Sequence, residues 1–580
     1  MSSRNKISAP CGVAVHVIAM AAALAASGGS HALELDTGNP DLKVRADTTL
    51  RYNLGVRTEK QDPRLLSFAT TDEGNAKFER GDIVTNRLDA LGELDVNYKG
   101  VVGARVSAAA WYDHAYRDSS VSSPAGSSTS YNNDRYSNEV NRFVHGPSGE
   151  ILDAFVWSNF ELGTVPVNVK LGKHTVVWGE GLLIGGHAIS YGQSPVDGVK
   201  AVSSPGIETK EVFLPINQLT FKAQVTDKLS IAGQYALDWM PTRVPYAGTY
   251  LMGADNAPGV DRFALTPCNP ALGPLSCKTM ANTAALTSGD KNWGVSARLD
   301  VDSIESTLGA YYRVFNDTNP ETGIQLGNFY QAIPGAAATT LPGTFRFVYP
   351  AATKVIGVSL SKPVGPVSVG AEMSWRKDSH LNSVASYTTT STGAVGDTFH
   401  AVVNGLYLLP KTGLWDTGSL IGELAYSRLN KITANESLFR GVGYAGCVKL
   451  GTGSGGVPAV AGDITDTCST KDYWEMAVRF TPQYLGILPS WDLSVPIAIN
   501  YGLKGTAATG GGGFEGRLSW SIGLAATYAG KHDFNLTYAD SAVPTKYNAA
   551  GTAAIGGNAL NSAVGATDRG RLLFTYKTSF

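Results

Sequence analysis

Titratable side chains gather between Lys173 and Glu211, where Lys173, His174, Glu180, Asp197, Lys210 and Glu211 share one stretch rich in glycine, proline and apolar residues. Such a set has two uses. In a channel, charges at a constriction gate or orient a passing solute. In a segment laid against a wall, the same groups form ion pairs and hydrogen bonds that lock it in place. The same stretch also contains His174, His187, Ser190, Ser194 and Asp197, which could supply a nucleophile, a base and an orienting acid. No G-x-S-x-G surrounds any of these serines, so no catalytic residue is assigned and no enzyme is expected. No C-x-x-C spacing or adjoining histidine pair points to a metal, and no cofactor is expected. Cys268 with Cys277, and Cys447 with Cys468, fall as close pairs in loop-like sequence, which predicts two local disulfides formed in an oxidising compartment.

The elements that carry these groups follow from composition and period. The chain has 580 residues, 66 of them Gly, with 25 Tyr, 10 Trp and only 17% charged residues. No run of ~20 apolar residues follows the N-terminus, so helical membrane spans are not expected. No block of basic charge suggests nucleic acid as a partner. Residues 1–32, with Arg4 and Lys6, an apolar core over Ile7 to Ala26 and a Ser30-His31-Ala32 exit, read as a secretory signal, followed by a short periplasmic segment over 33–42.

From Lys43 the dominant period is two. Val44, Ala46, Thr48, Leu50, Tyr52, Leu54 and Val56 share one face of a strand, and Lys43, Arg45, Asp47, Thr49, Arg51 and Asn53 share the other. Tight turns then alternate with long loops. Turns are expected near Gly100, Gly163, Thr226–Lys228, Asp302–Ser303, Pro363–Pro366, Pro410–Leu414, Pro482–Ser490 and Gly530; long loops include 240–290, 316–351, 378–396 and 431–471. This rhythm predicts an all-β, transmembrane antiparallel β-barrel of about 18 strands over 43–580, in the outer membrane and in contact with its lipid. Tyr112, Trp157, Trp239, Tyr311, Trp375, Tyr426, Trp474, Trp520 and Tyr528 are expected in aromatic girdles at the two lipid interfaces. The final strand, R-L-L-F-T-Y-K-T-S-F, ends on Phe580 and resembles the sorting signal of such barrels.

One connection breaks the pattern. By parity 179–216 is an outer loop, yet half of its residues are apolar, and apolar loops bury themselves. It is therefore expected to fold inward as a plug or constriction. Its charged residues then serve chiefly as anchors, since polar lumen walls normally carry charge. Trp178, Leu182, Leu183, Tyr191, Phe213 and Leu214 are candidates for the lining of a greasy solute path, or else for the core of the plug itself.

Here the sequence resembles the proteobacterial outer-membrane proteins grouped as domain of unknown function 1302. Their pattern G-R-Q-x-x-x-W-G-E, N-P-V-D, P-G, K-E and Leu-Pro is matched by Gly172, Trp178, Gly179, Glu180, Pro195, Val196, Asp197, Pro205, Gly206, Lys210, Glu211, Leu214 and Pro215. Lys173, His174 and Ser194 depart from it. The resemblance implies an outer-membrane barrel working with a periplasmic carrier or exporter and moving hydrophobic compounds such as lipids, steroids or aromatics. The expected function is thus a channel for hydrophobic or amphipathic small molecules. The alternative is an assembly or adhesion barrel acting through its outer loops, with a lipid hydrolase a lesser one.

Overall fold

In the strand Leu42–Arg57, β1, the arginines and asparagine at 51, 53 and 57 are buried, and the apolar residues between them are half-buried. The later strand Val367–His380 shows the same inversion more sharply. Glu372 and Arg376 are 3% and 1% exposed, whereas Met373 and Trp375 are 50% and 42% exposed. A soluble sheet would bury the methionine and tryptophan and leave the charges in water. Here the buried face is the polar one, which requires partners for every buried charge and a non-aqueous medium for the apolar face.

The computed structural model describes residues 33–67, 70–125, 128–204, 207, 209–263, 280–287, 292–331, 340–350, 352–388, 392–447, 468–547, 549–552 and 564–580. The segment read as a signal, 1–32, and the Cys268–Cys277 pair lie outside the described residues. The strands after β1 are β2 (Ile83–Tyr98), β3 (Val102–Asp113), β4 (Ser148–Leu162), β5 (Val165–His174), β6 (Ile216–Gln224), β7 (Leu229–Ala236), β8 (Trp293–Val301) and β9 (Ser306–Phe315). They continue as β10 (Thr353–Val364), β11 (Val367–His380), β12 (Val395–Leu408), β13 (Thr417–Ala434), β14 (Asp472–Leu488), β15 (Trp491–Ser494 resuming at Ile497–Lys504), β16 (Leu518–Tyr528), β17 (His532–Ala542) and β18 (Arg571–Ser579). Each pairs antiparallel with the next, and β18 returns to β1 in the register Thr49↔Ser579 to Arg57↔Arg571, closing an 18-strand barrel. Thr48 and Phe580 exchange both backbone hydrogen bonds, at 3.1 and 2.9 Å, so the terminal residue belongs to the closing seam. Leu33–Leu35 extends that edge by pairing with Val44–Ala46.

Even-numbered strands leave through short turns and odd-numbered ones through long connections. Lys99-Gly100 and Ala529-Gly530 both have positive φ at two adjacent positions, the backbone of a tight turn whose twist suits paired strands. The turn expected over Pro482–Ser490 is present but confined to Pro489-Ser490, because the strand runs on to Leu488 and its pairing absorbs a register shift between Tyr484 and Leu488 around the positive-φ Gly486. Among the residues expected in girdles, two are elsewhere. Tyr311 faces inward at 4% exposure and bonds Ser359, and Trp239 packs on Tyr349 in a long connection. Trp375, Tyr426 and Trp474 do form one outward aromatic row through Phe399, with Tyr426 and Trp474 centroids 4.6 Å apart.

The long connections do not hang as separate polar loops. They share an apolar core that includes Phe78, Tyr116, Tyr131, Tyr136, Tyr246 and Tyr250. Tyr131 and Tyr136 donate their hydroxyls to the carbonyls of Ala247 and Gly248, both at 2.7 Å, so rings rich in polar tips can still fill a dry interior. The Cys447–Cys468 disulfide lies in the β13–β14 connection, as the spacing predicts.

Candidate functional site

Strand β5 stops at His174, and regular pairing resumes at Ile216, so the interrupting segment is 175–215. Its second half closes on itself. Val196 and Phe213 form an isolated bridge, Leu214 donates its N–H to Pro195 O at 2.8 Å, and Asp197 caps the short helix Gly198–Ser203 by accepting the Lys200 N–H at 3.0 Å. Its first half, 175–194, contains no helix or strand. A chain of that kind leaves backbone N–H and C=O groups without partners, and buried backbone groups must find them.

The barrel wall supplies those partners with four charged side chains. Glu372 on β11 accepts N–H groups from Glu180 (2.5 Å), Gly181 (3.3 Å) and Ile189 (2.7 Å). Glu423 on β13 accepts those of Leu182 (2.6 Å), Leu183 (2.9 Å) and Ile184 (2.5 Å). Arg313 on β9 donates to the carbonyls of Ile189 (2.7 Å) and Tyr191 (3.0 Å), and Arg376 on β11 to those of Gly186 (3.0 Å) and Ala188 (2.9 Å). Carboxylates take the donors and guanidinium groups take the acceptors. Charge-assisted bonds of this sort are about twice as strong as neutral ones.

The wall is also shaped for the segment. A Cβ at Gly357 would lie 2.8 Å from Ile189 Cδ1, one at Gly294 2.9 Å from the Trp178 ring, and one at Gly370 3.1 Å from Glu180 Cβ. These glycines let the backbone approach where a larger residue would hold it off.

The six titratable residues singled out from the sequence do not converge on one point. Glu180 pairs with Arg298 on β8 at 3.0 Å. Glu211 takes two bonds from Arg51 on β1, at 2.6 and 3.2 Å, and Lys210 reaches Glu93 on β2 at 2.5 Å. Asp197 pairs with Arg243, which also binds Glu150 at 3.0 Å. Burial works against the Arg243 charge, but Asp197 and Glu150 outweigh it and raise its pKa. Lys173 and His174 remain in the wall, bonding the Ile151 carbonyl at 2.5 Å and the Thr220 hydroxyl at 2.9 Å. Four of the six thus tie the segment to its surroundings, and two tie strand to strand.

The apolar candidates divide as well. Leu214 is buried with Leu91, Ala109, Trp111 and Leu152, and Trp178 packs near Tyr311. Tyr191 donates its hydroxyl to Asp317 at 2.8 Å, which makes it a support. Phe213 belongs to the bridge with Val196, and Leu182 is 53% exposed. Leu183 borders a cavity of about 170 Å³, whose lining includes His187, Glu475, Asn500 and Arg517. That cavity shares Gly511, Gly512, Arg517 and Ser519 with a larger one of about 480 Å³ under the long connections.

Glu372, Glu423, Arg313 and Arg376 were missed by sequence reasoning. The available signal was parity: in G-A-E-M-S-W-R the two charges share a face with a serine opposite Met373 and Trp375. A charge on the polar face of a barrel strand is commonplace, so parity alone does not say what it holds.

Several solved structures are similar to the chain at low identity. Acinetobacter baumannii OccAB1 is 9% identical, covering 96% of this chain and 99% of that one, with a TM-score of 0.39. Pseudomonas aeruginosa OccK1 (OpdK) is 9% identical over 93% of this chain and 99% of its own, with a TM-score of 0.38. A BenF-like porin from Pseudomonas fluorescens Pf-5 is 11% identical over the same shares, also with a TM-score of 0.38. No curated protein sequence matches this one. The family described as "Protein of unknown function (DUF1302)" matches over residues 13–580, and the chain belongs to it.

Proposed function

We propose that this protein is a channel of the bacterial outer membrane, in which the 175–215 segment narrows the lumen and leaves a path beside it for small hydrophobic or amphipathic molecules of lipid, steroid or aromatic type. The observation that carries this reading is the anchoring itself: irregular backbone over 180–191 is held by Glu372, Glu423, Arg313 and Arg376, which occupy the buried face of a closed barrel. A barrel of this strand number is wide enough to keep a lumen that wall side chains cannot fill. The exposed apolar face, with Leu94, Val106, Val358, Met373 and Leu524 all at least 41% exposed, suits lipid rather than water. Two cavities that share Gly511, Gly512, Arg517 and Ser519 in their linings, the smaller one bordered by Leu183 and Ile184 of the segment, support a path there.

Residues 1–32 serve as an export signal in this reading, and a periplasmic carrier or exporter is the partner at the short-turn end. Planar-bilayer recordings test it. Replacing residues 180–191 by a short Gly-Ser linker is expected to give larger current steps than the unmodified protein. Equal steps from both proteins would mean that the segment does not narrow the path.

A further inference from the structure

The two cavities have different charge. Among the residues lining the larger one, Arg440 and Arg517 carry charge, and no carboxylate lines it. The rest of its surface is divided between apolar side chains, such as Leu251, Met252 and Val543, and amide or hydroxyl groups, such as Asn382, Ser383 and Thr506. The smaller cavity holds one cation and one anion, Arg517 and Glu475. Arg517 is therefore the charged residue common to both linings.

Its situation differs from that of the other lumen cations described above. Arg51, Lys210 and Arg243 are committed to Glu211, Glu93 and Asp197, and Arg313 and Arg376 to backbone carbonyls. Arg517 is exposed, its guanidinium lies 5.8 Å from the centre of the Phe514 ring, and no carboxylate among the described residues forms an ion pair with it. Its backbone is well held. The Arg517 carbonyl accepts from Gly502 N–H at 2.9 Å, and Glu515 clamps Gly505 through a backbone bond at 2.5 Å and a side-chain bond at 2.7 Å. The connection that carries it is also pinned to the 175–215 segment, since His187 bonds the Gly512 carbonyl at 2.9 Å. A Cβ at Gly513 would fall 2.2 Å from the Tyr473 hydroxyl, so this bend accommodates no larger residue without moving.

We infer that the path selects amphipathic monoanions, with the carboxylate of the solute received by Arg517 and its apolar body laid against the greasy side of the larger cavity. A guanidinium matches a carboxylate as a planar fork, and about 480 Å³ lies within the size range of small-ligand pockets. Glu475 in the lining of the smaller cavity then opposes a second anion, so solutes pass one at a time. This inference rests on the channel reading and narrows its solute class.

The test uses the full-length protein in planar bilayers, with decanoate and decyltrimethylammonium as probes of equal chain length and opposite charge. Decanoate added on the long-connection side is expected to interrupt the ion current at a concentration about tenfold below that of the cation, as a charge-assisted hydrogen bond implies. Arg517→Gln should raise the half-blocking decanoate concentration by about tenfold, and Arg517→Lys should restore part of the loss. Heat-dependent gel mobility checks that each variant has a folded barrel. Equal block by both probes, or block by decanoate that ignores Arg517→Gln, overturns the inference while leaving the channel intact. A folded protein that conducts no ions at all overturns the channel reading instead.

Discussion

The Nδ1 atoms of His187 and His400 face each other at 3.0 Å, joining the 175–215 segment to β12. Their other partners assign the protons. His187 Nε2 meets the Gly512 carbonyl at 2.9 Å and so carries hydrogen, which leaves its Nδ1 bare to accept from His400 Nδ1–H; His400 Nε2 then accepts the Thr398 hydroxyl at 2.9 Å. Each ring is neutral in this arrangement. A proton added to His187 Nδ1 would set two N–H groups against each other. Arg376, bonded to the carbonyls of Gly186 and Ala188 on either side, adds further repulsion, and the nearby Tyr473 offers its ring face while its hydroxyl bonds Glu475.

Acid should therefore release the segment. Burial, reinforced by Arg376, pushes His187 down to about 4 from its usual 6.5. A docked state that binds fewer protons than the released one has its full stability above pH 6.5, and loses it progressively as pH falls towards 4. The loss is on the order of 3 kcal/mol. Bilayer conductance should rise between pH 7 and 4.5, and His187→Gln should flatten that rise. A profile that is the same in both proteins would count against the histidine latch.

Removing the Glu423 carboxylate deprives three consecutive N–H groups, those of Leu182, Leu183 and Ile184, of their acceptor. Glu423→Ala should weaken docking by about 2–4 kcal/mol, and Glu423→Gln by less, because one acceptor oxygen survives. Faster limited proteolysis within 180–191 is the expected readout, with the barrel itself still resistant.

Gly357 and Ile189 offer a compensation experiment. Gly357→Val drives a side chain into Ile189 and should cost about 1–3 kcal/mol by overpacking. Adding Ile189→Ala should recover part of that loss, and the double-mutant cycle on thermal unfolding should give a coupling of about 1 kcal/mol. Strict additivity would show that the two sites do not touch in the folded protein.

The disulfide should matter locally. Cys447 and Cys468 are 21 residues apart, and replacing both by Ser should cost the β13–β14 connection about 3 kcal/mol. Exchange of the Val442 N–H, which donates to Ser469 at 2.8 Å, should speed up while channel current stays the same.

Much of the architecture is readable in the chain alone, because a strand with one polar and one apolar face repeats every two residues and its turns carry Gly at fixed places. The run from Val44 to Val56, the turn at Lys99-Gly100, the number of strands and the pairing of Cys447 with Cys468 all depend on neighbours close in sequence. So does the observation that 179–216 is too apolar for an exposed loop. The turn expected over Pro482–Ser490 and found only at Pro489-Ser490 shows the limit of local rules: proline and glycine punctuate chains, but cross-strand pairing carried β14 past Pro482 and Gly486 to Leu488. Tertiary structure decided what the polar faces hold. Glu180 meets Glu372 across 192 positions, and Leu182 meets Glu423 across 241, because barrel closure and strand register bring β11 and β13 to the segment that leaves β5. The titratable residues within 175–215 were visible as a group, but their separate partners around the wall, and the placing of Arg517 in the linings of two cavities, follow from the closed barrel, since only closure sets residues hundreds of positions apart on one inner surface.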